Sequence, residues 1–108
     1  MTEPFAEHKW RHRLLLVFAP DEADANLAEQ KKLLEEGEAG FEERDLLPLF
    51  LLEDEEARDG FDVAERSFAA VLIGKDGTEK ARFERPAESD ELFRRIDGMP
   101  MRRRKMGM

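Results

Sequence analysis

The chain of 108 residues contains no cysteine, and this absence excludes several classes of function at once. Disulfide bonds, thiolate nucleophiles, iron–sulfur clusters and cysteine-ligated zinc sites all require the missing residue. The lack of cysteine does not identify the cellular compartment, because a domain without disulfides can be stable inside or outside the cytosol. Thiol–disulfide exchange and thiol-based peroxide reduction are therefore excluded for this chain.

Long apolar runs are also missing. No run approaches the roughly 20 residues that a helix needs to cross a bilayer, and the first residues do not resemble the apolar core of a signal peptide. As written, the chain is expected to be soluble and cytoplasmic. Export or association with the cell envelope is the alternative if a signal segment precedes Met1.

Residues that could suggest a metal or cofactor occur only in unsuitable settings. His8 and His12 flank Trp10 beside a predicted strand, so they are not expected to share a helical face as metal ligands would. The acidic run at residues 53–59 is expected to be a charged helical turn with a solvated face, because it lacks the ligand and glycine spacing of a calcium loop. The methionines near the C-terminus are better explained by packing than by soft-metal binding. We expect no metal site and no cofactor.

Charge is distributed unevenly along the chain. The net charge is −8 overall, but residues 21–66 alone carry −12. An acidic centre repels phosphate backbones, so nucleic acid is not an expected partner. The basic run Arg102-Arg103-Arg104-Lys105 could bind phosphate, an anionic membrane or an acidic partner, or could fold back on the acidic middle of its own chain.

Hydrophobic patterning predicts one α/β domain. The apolar run starting at Arg13 has the length of a central strand buried on both faces, and residues 22–36 read as the helix after it. Residues 46–52 form a second strand, which Pro48 assigns to an edge because proline cannot donate to a ladder. Gly37 or Gly40 is expected to end the helix between the two strands.

The second half of the chain reads as a hairpin followed by a helix. Residues 68–73 form a strand, Gly74-Lys75-Asp76-Gly77 turns it, and residues 78–83 return with Ala81 and Phe83 inward. Ser89 is expected to cap a last helix that runs to Ile96.

A right-handed βαβ unit joined to a ββα unit predicts a four-stranded mixed sheet of order 2-1-3-4 with helices packed on both faces. The domain should span residues 10–98, between a flexible lead-in at 1–9 and a basic tail at 99–108.

This arrangement resembles the thioredoxin fold. A more specific resemblance is carried by Trp10, the LLLVFAP run, Gln30, Glu43-Arg44-Asp45, FAAVLIGKDG and the ending Ile96-Asp97-Gly98-Met99-Pro100-Met101-Arg102. Together these resemble a bacterial family of unknown function that is shared with the animal sushi-repeat-containing X-linked proteins and related matrix proteins. The resemblance implies a thioredoxin-like domain without an established activity. The positions where a thioredoxin carries its thiolate, residues 21–24, hold carboxylates instead, and residues 65–67 stand where thioredoxins carry a cis-proline.

A candidate cleft lies where the loops at residues 20–24 and 64–67 are expected to meet. Its residues are Asp21, Asp24, Gln30, Arg66 and Ser67. Free N–H groups at the start of the first helix could bind an anion, and Arg66 could add a bidentate donor. The structural interpretation is that Asp21 caps the helix, that Arg66 pairs with Asp21 or Asp24, and that Gln30 is hydrogen-bonded inside the protein rather than open to the cleft.

We therefore expect a non-catalytic binding or interaction module with no catalytic residues. Its ligand would be an unknown protein or a small anionic molecule, and the sequence does not predict an oligomeric state. The alternative is an enzyme of unfamiliar type that uses the acidic and arginine-containing cleft at the start of the first helix.

Overall fold

The computed structural model describes residues 10–52, 54–64 and 66–99. The predicted lead-in at 1–9, and the basic tail apart from Met99, lie outside these residues. The elements are β1 (Arg13–Phe18), α1 (Ala25–Glu36), α2 (Glu38–Glu43), β2 (Leu46–Phe50), α3 (Glu55–Gly60), β3 (Ala69–Ile73), β4 (Glu79–Phe83) and α4 (Ser89–Asp97). Within the described residues, none of the helices is long and apolar enough to cross a membrane.

The four strands lie in the order β2-β1-β3-β4, which confirms the predicted order 2-1-3-4. Strand β1 runs parallel to β2 and antiparallel to β3. It is buried along its whole length because successive side chains point to opposite faces and both faces are covered. Leu15 and Val17 face one core, whereas Leu14, Leu16 and Phe18 face the other.

Helices pack on both faces of the sheet, as the sequence predicted. One face is covered by apolar side chains of α1, α2 and α4, among them Leu27, Phe41 and Leu92. The other face is covered by α3 and the segment after it, through Ala57 and Val63. Among the described residues, three helices cover one face of the sheet and a single helix covers the other.

The start of α1 and the whole of α2 differ from the sequence prediction. Helix α1 begins at Ala25 because the Asp24 side chain accepts the N–H of Leu27 at 3.0 Å, so the N-cap is Asp24 and not Asp21. Gly37 ends this helix and begins α2 at once. Sequence analysis took Gly37 or Gly40 as the end of the helix and missed α2, which the burial of Phe41 anchors to the core.

The prediction that Ser89 caps the last helix was wrong. Glu88 is the N-cap of α4 and makes no capping bond through its side chain. The Ser89 hydroxyl instead donates to the carbonyl of Leu33 at 3.1 Å. This hydrogen bond ties the start of α4 to the last turn of α1.

Arg44 fixes the other end of α4. Its Nε and Nη2 donate to the two carboxylate oxygens of Asp97 at 2.9 and 3.0 Å, and its Nη1 donates to the carbonyl of Gly40 at 2.9 Å. The guanidinium also lies 4.3 Å from the ring centroid of Phe93. A bidentate pair of this kind has a defined geometry, so α4 is held against the C-terminal end of α2.

Pro48 lies on the free edge of β2 with its nitrogen directed away from the sheet. The N–H of Arg13 donates to Asp45, and that of Leu51 donates to Val17. In a parallel pair, alternate residues direct both backbone groups to the same neighbour. Residues 45, 47, 49 and 51 therefore face β1, and residues 46, 48 and 50 face outward. Proline removes the central donor of an edge that another strand could otherwise extend.

Restoring that donor should change association and leave the ladder intact. In Pro48→Val, the new N–H points outward, so the free energy of unfolding in urea should change by less than about 1 kcal/mol. Self-association, measured by sedimentation velocity over a concentration series, should increase relative to the original chain. A variant that stays as monomeric as the original chain would contradict the blocking role of Pro48.

Asp76 organises the turn between β3 and β4. Its Oδ1 accepts hydrogen bonds from the backbone N–H and the hydroxyl of Thr78 at 3.0 and 2.8 Å, and its Oδ2 accepts Lys80 at 2.9 Å. The backbone hydrogen bond from Thr78 is the main reason why the pKa of Asp76 falls from 3.8 to about 2. Gly77 supplies the positive φ of 84° that the turn requires.

Asp76→Asn should destabilise the domain in a pH-dependent manner. The pKa of Asp76 is lower in the folded chain than its ordinary value, so its stabilisation is full above about pH 4 and is lost as the pH falls through about 2. Because the side chain is partly exposed, the loss at neutral pH should be below about 1 kcal/mol. Urea unfolding across this range measures it, and a difference that is constant from pH 6 to pH 2 would contradict the assignment.

Candidate functional site

The loop after β1 carries carboxylates that the protein itself uses. Asp21 Oδ1 accepts the N–H of Ala23 at 2.9 Å, which forms a local turn. Asp24 caps α1 as described above. The positive end of the helix dipole is thus compensated by carboxylates of the same loop, which makes the start of α1 a poor site for an external anion.

A buried arginine joins this loop to the loop before β3. Arg58 Nη2 donates to the carbonyl of Ala19 at 2.7 Å, and its Nη1 donates to the carbonyls of Ala64 and Ser67 at 2.8 and 3.1 Å. The side chain also lies 5.6 Å from the ring centroid of Phe18, and the residue is only 6% exposed. Arg58 thus links Ala19, which directly precedes the predicted loop at residues 20–24, to the predicted loop at residues 64–67.

Sequence analysis missed Arg58 because it read residues 53–59 as a solvated face. That interpretation was wrong for this residue. The available signal was that Arg58 is the one basic side chain in an otherwise acidic run. Its role depends on backbone carbonyl groups, one of them 39 positions earlier in the chain, and side-chain patterning carries no information about these.

The other predicted cleft residues are placed as follows. Arg66 is exposed, has a φ of 62°, and forms no ion pair with Asp21 or Asp24 among the described residues. The hydroxyl of Ser67 donates to the carbonyl of Ala64 at 2.6 Å, inside its own loop. Among the described residues, the structure therefore does not pair the side chains that were expected to interact across the two loops.

Gln30 is used entirely inside the protein. Its Nε2 donates to the carbonyl of Ala87 at 3.1 Å, and its Oε1 accepts the N–H of the same residue at 2.7 Å. The side chain is fully buried. Of the two interpretations of Gln30, the internal hydrogen bond applies, and the amide does not open to a cleft.

A concavity lies between α1, α2 and the free edge of β2. It has a volume of about 390 Å³ and is lined by Lys31, Leu34, Glu35, Glu38, Phe41, Glu42, Leu46, Leu47, Pro48 and Phe50. A second concavity is lined by Asp21, Glu22, Ala23, Lys31, Phe50 and Leu52. Because both are lined by Lys31 and Phe50, they form one surface, which we name the acidic groove.

The acidic groove combines an apolar floor with a negative rim. Among its described lining residues, the carboxylates are those of Asp21, Glu22, Glu35, Glu38 and Glu42, and they face a single ammonium group. That ammonium, Lys31 Nζ, lies 5.4 Å from the ring centroid of Phe50, whose side chain is 39% exposed. The groove is suited to a ligand that carries positive charge next to apolar groups. Of the five residues selected from the sequence, only Asp21 belongs to its lining.

A family model described as a domain of unknown function, DUF4174, matches residues 4–105. The chain belongs to this family. A search of curated proteins gives no match for this DUF4174 domain.

Solved structures establish its fold. Thioredoxin peroxidase I of Plasmodium yoelii aligns with a TM-score of 0.77 at 16% identity, over 93% of this chain and 79% of that chain. The reduced 2-Cys peroxiredoxin of Plasmodium vivax aligns with a TM-score of 0.75 at 15% identity, over 93% of this chain and 84% of that chain. A structure described as a malarial protein aligns with a TM-score of 0.65 at 16% identity, over 80% of this chain and 94% of that chain. The DUF4174 domain thus has the thioredoxin-like fold of peroxiredoxins, and at such identities the likeness extends to the fold alone.

Two arginines of the DUF4174 domain form a matched pair for testing the junction of its loops. Arg58→Met leaves three carbonyl groups without their charged donor, so the free energy of unfolding should fall by about 2–4 kcal/mol. Arg66→Met removes an exposed side chain that makes no hydrogen bond with the part of the chain that the structure describes, and the change should stay below about 0.5 kcal/mol. Urea unfolding measures both, and equal losses would contradict the assignment of the junction to Arg58.

Proposed function

We propose that this domain is a non-catalytic binding module whose acidic groove takes an extended segment of a partner protein. The segment carries at least one large apolar side chain with lysine or arginine on either side. The observation that carries this proposal is the coincidence of an apolar floor and a carboxylate rim along one free edge of the sheet.

The apolar floor supplies the anchor. Leu34, Phe41 and Leu46 belong to the main core, so their positions are fixed before any ligand arrives. Phe50 adds an exposed aromatic face. Burying one leucine-sized side chain there contributes about 1.5–3 kcal/mol, and a preformed floor reduces the entropy that must be lost on binding.

The rim supplies selectivity more than affinity. Each exposed ion pair contributes at most about 1 kcal/mol, but several carboxylates around one groove accelerate the approach of a basic segment and disfavour an acidic one. The same charge argues against the small anionic ligand considered from the sequence.

Recognition here would rely on side chains and not on strand addition. A strand added to β2 would meet Pro48 at its centre and would lose a main-chain hydrogen bond. The peroxidase activity named for a solved neighbour does not support a function here, because this chain has no cysteine.

Peptide titration tests the proposal. A fluorescent peptide with a central leucine flanked by lysine and arginine should bind and raise the fluorescence anisotropy, whereas the same peptide with glutamates at the flanks should not. Raising the ionic strength should weaken the complex. Binding of both peptides, or of neither, contradicts the proposed selectivity.

Matched variants locate the binding surface. Glu38→Lys with Glu42→Lys should weaken binding by about ten-fold or more, because two attractive contacts become repulsive. Glu84→Lys with Glu88→Lys changes the net charge equally on an exposed surface outside the groove, and should have a much smaller effect. Equal weakening by the two pairs would show that net charge alone governs binding and would contradict a groove site.

A further inference from the structure

We propose that the first occupant of the acidic groove is the C-terminal segment of the same chain, residues 101–108, which a partner must displace. This inference rests on the proposed function and adds its regulation. It follows from the chemistry of the segment, from the place where α4 ends, and from the charge of the surrounding surface.

The chemistry of the segment matches that of the groove. Arg102, Arg103, Arg104 and Lys105 supply four positive charges, and Met101, Met106 and Met108 flank them. The groove offers five carboxylates over an apolar floor that includes an exposed aromatic ring. Methionine is unbranched and polarisable, so it fits irregular apolar surfaces and packs well against aromatic rings.

The end of α4 lies within reach of the groove. The ion pair between Arg44 and Asp97 holds this end against the C-terminal end of α2, and Met99 packs against the main core. The same short helix supplies Glu38 and Glu42 to the groove. A helix is about 10–12 Å wide with its side chains. The nine residues that follow Met99 could span up to about 30 Å if they were extended. The segment can therefore pass α2 and enter the groove.

The surface around α4 attracts the segment less than the groove does. Exposed Arg85, Arg94 and Arg95 are balanced by the exposed carboxylates of Glu84, Glu88 and Asp90, and Arg85 and Arg95 also pair with Glu91. In the groove, five carboxylates face one lysine. Electrostatic attraction of the basic run is therefore stronger toward the groove.

Attachment to the same chain makes the segment an effective competitor. A short connection gives an effective concentration on the order of 1 mM. If the free segment binds with a dissociation constant of about 0.1 mM, the attached segment occupies roughly nine grooves in ten and weakens a competing peptide about ten-fold.

The absence of cysteine allows the location to be tested in the full chain. A nitroxide attached to Met108→Cys is the only thiol-linked label, and it should broaden the amide resonances of Lys31 and Phe50 much more than that of Arg82 in β4, at the opposite edge of the sheet. Glu38→Lys with Glu42→Lys should abolish the selective broadening. Gly107→Cys provides a second label position. Broadening that avoids the groove with both labels overturns the inference.

A mixed sample identifies which chain supplies the segment. Nitroxide-labelled chains without ¹⁵N are mixed with ¹⁵N-labelled chains that carry no nitroxide. Broadening within one chain is absent from such a sample, so the groove resonances should stay sharp. Selective broadening at the groove would mean that a second copy supplies the segment, which overturns the intramolecular proposal.

A tail variant separates this inference from the proposed function. In Arg102→Gln, Arg103→Gln, Arg104→Gln and Lys105→Gln combined, the basic test peptide should bind about ten-fold more tightly than it binds the original chain. Equal, measurable affinity for both chains overturns the tail inference and leaves the binding module standing. Absence of binding to both chains overturns the two proposals together.

Discussion

Strand β1 has no polar face, and the rest of the structure depends on covering it. Its apolar side chains from Leu14 to Phe18 are buried on both sides. Each contributes about 1.5–3 kcal/mol when removed from water, so together they compare with the entire net stability of about 5–15 kcal/mol of a domain. The strand therefore requires neighbours on two edges and helices on two faces. The sheet order and the two layers of helices satisfy that requirement.

Elements with local signals were predictable from the sequence. Each of these signals determines the conformation of the residues next to it in the sequence. They are the apolar run of β1, the alternation in β4, the glycines of the hairpin and the proline of β2. The interactions that hold elements together were not predictable in this way. Arg58 donates to the carbonyl of Ala19, 39 positions earlier in the chain, and Gln30 donates to the carbonyl of Ala87, 57 positions later. Side-chain spacing contains no information about which backbone groups will be brought opposite.

The candidate site was predictable only in part for the same reason. Sequence analysis placed a cleft between the loops at residues 20–24 and 64–67 and assigned it to the exposed Arg66. The buried Arg58 instead links Ala19, directly after β1, to the second of these loops. The acidic groove was not predicted, because α2 forms its wall and sequence analysis did not predict α2. This helix follows Gly37, one of the two glycines that were expected to end the first helix. It places Glu38 and Glu42 one turn apart on the same side.

Proline on β2 has a further consequence for assembly. The opposite edge, β4, carries the exposed charged residues Glu79, Lys80 and Arg82, and its pairing with β3 is irregular at Leu72/Ile73. Such features discourage the addition of another strand, so both margins of the sheet resist extension. Two copies of this domain joined in tandem within a longer polypeptide would keep separate sheets, and the merging of neighbouring repeats, a common route to misfolding in multidomain chains, would be disfavoured by the fold itself.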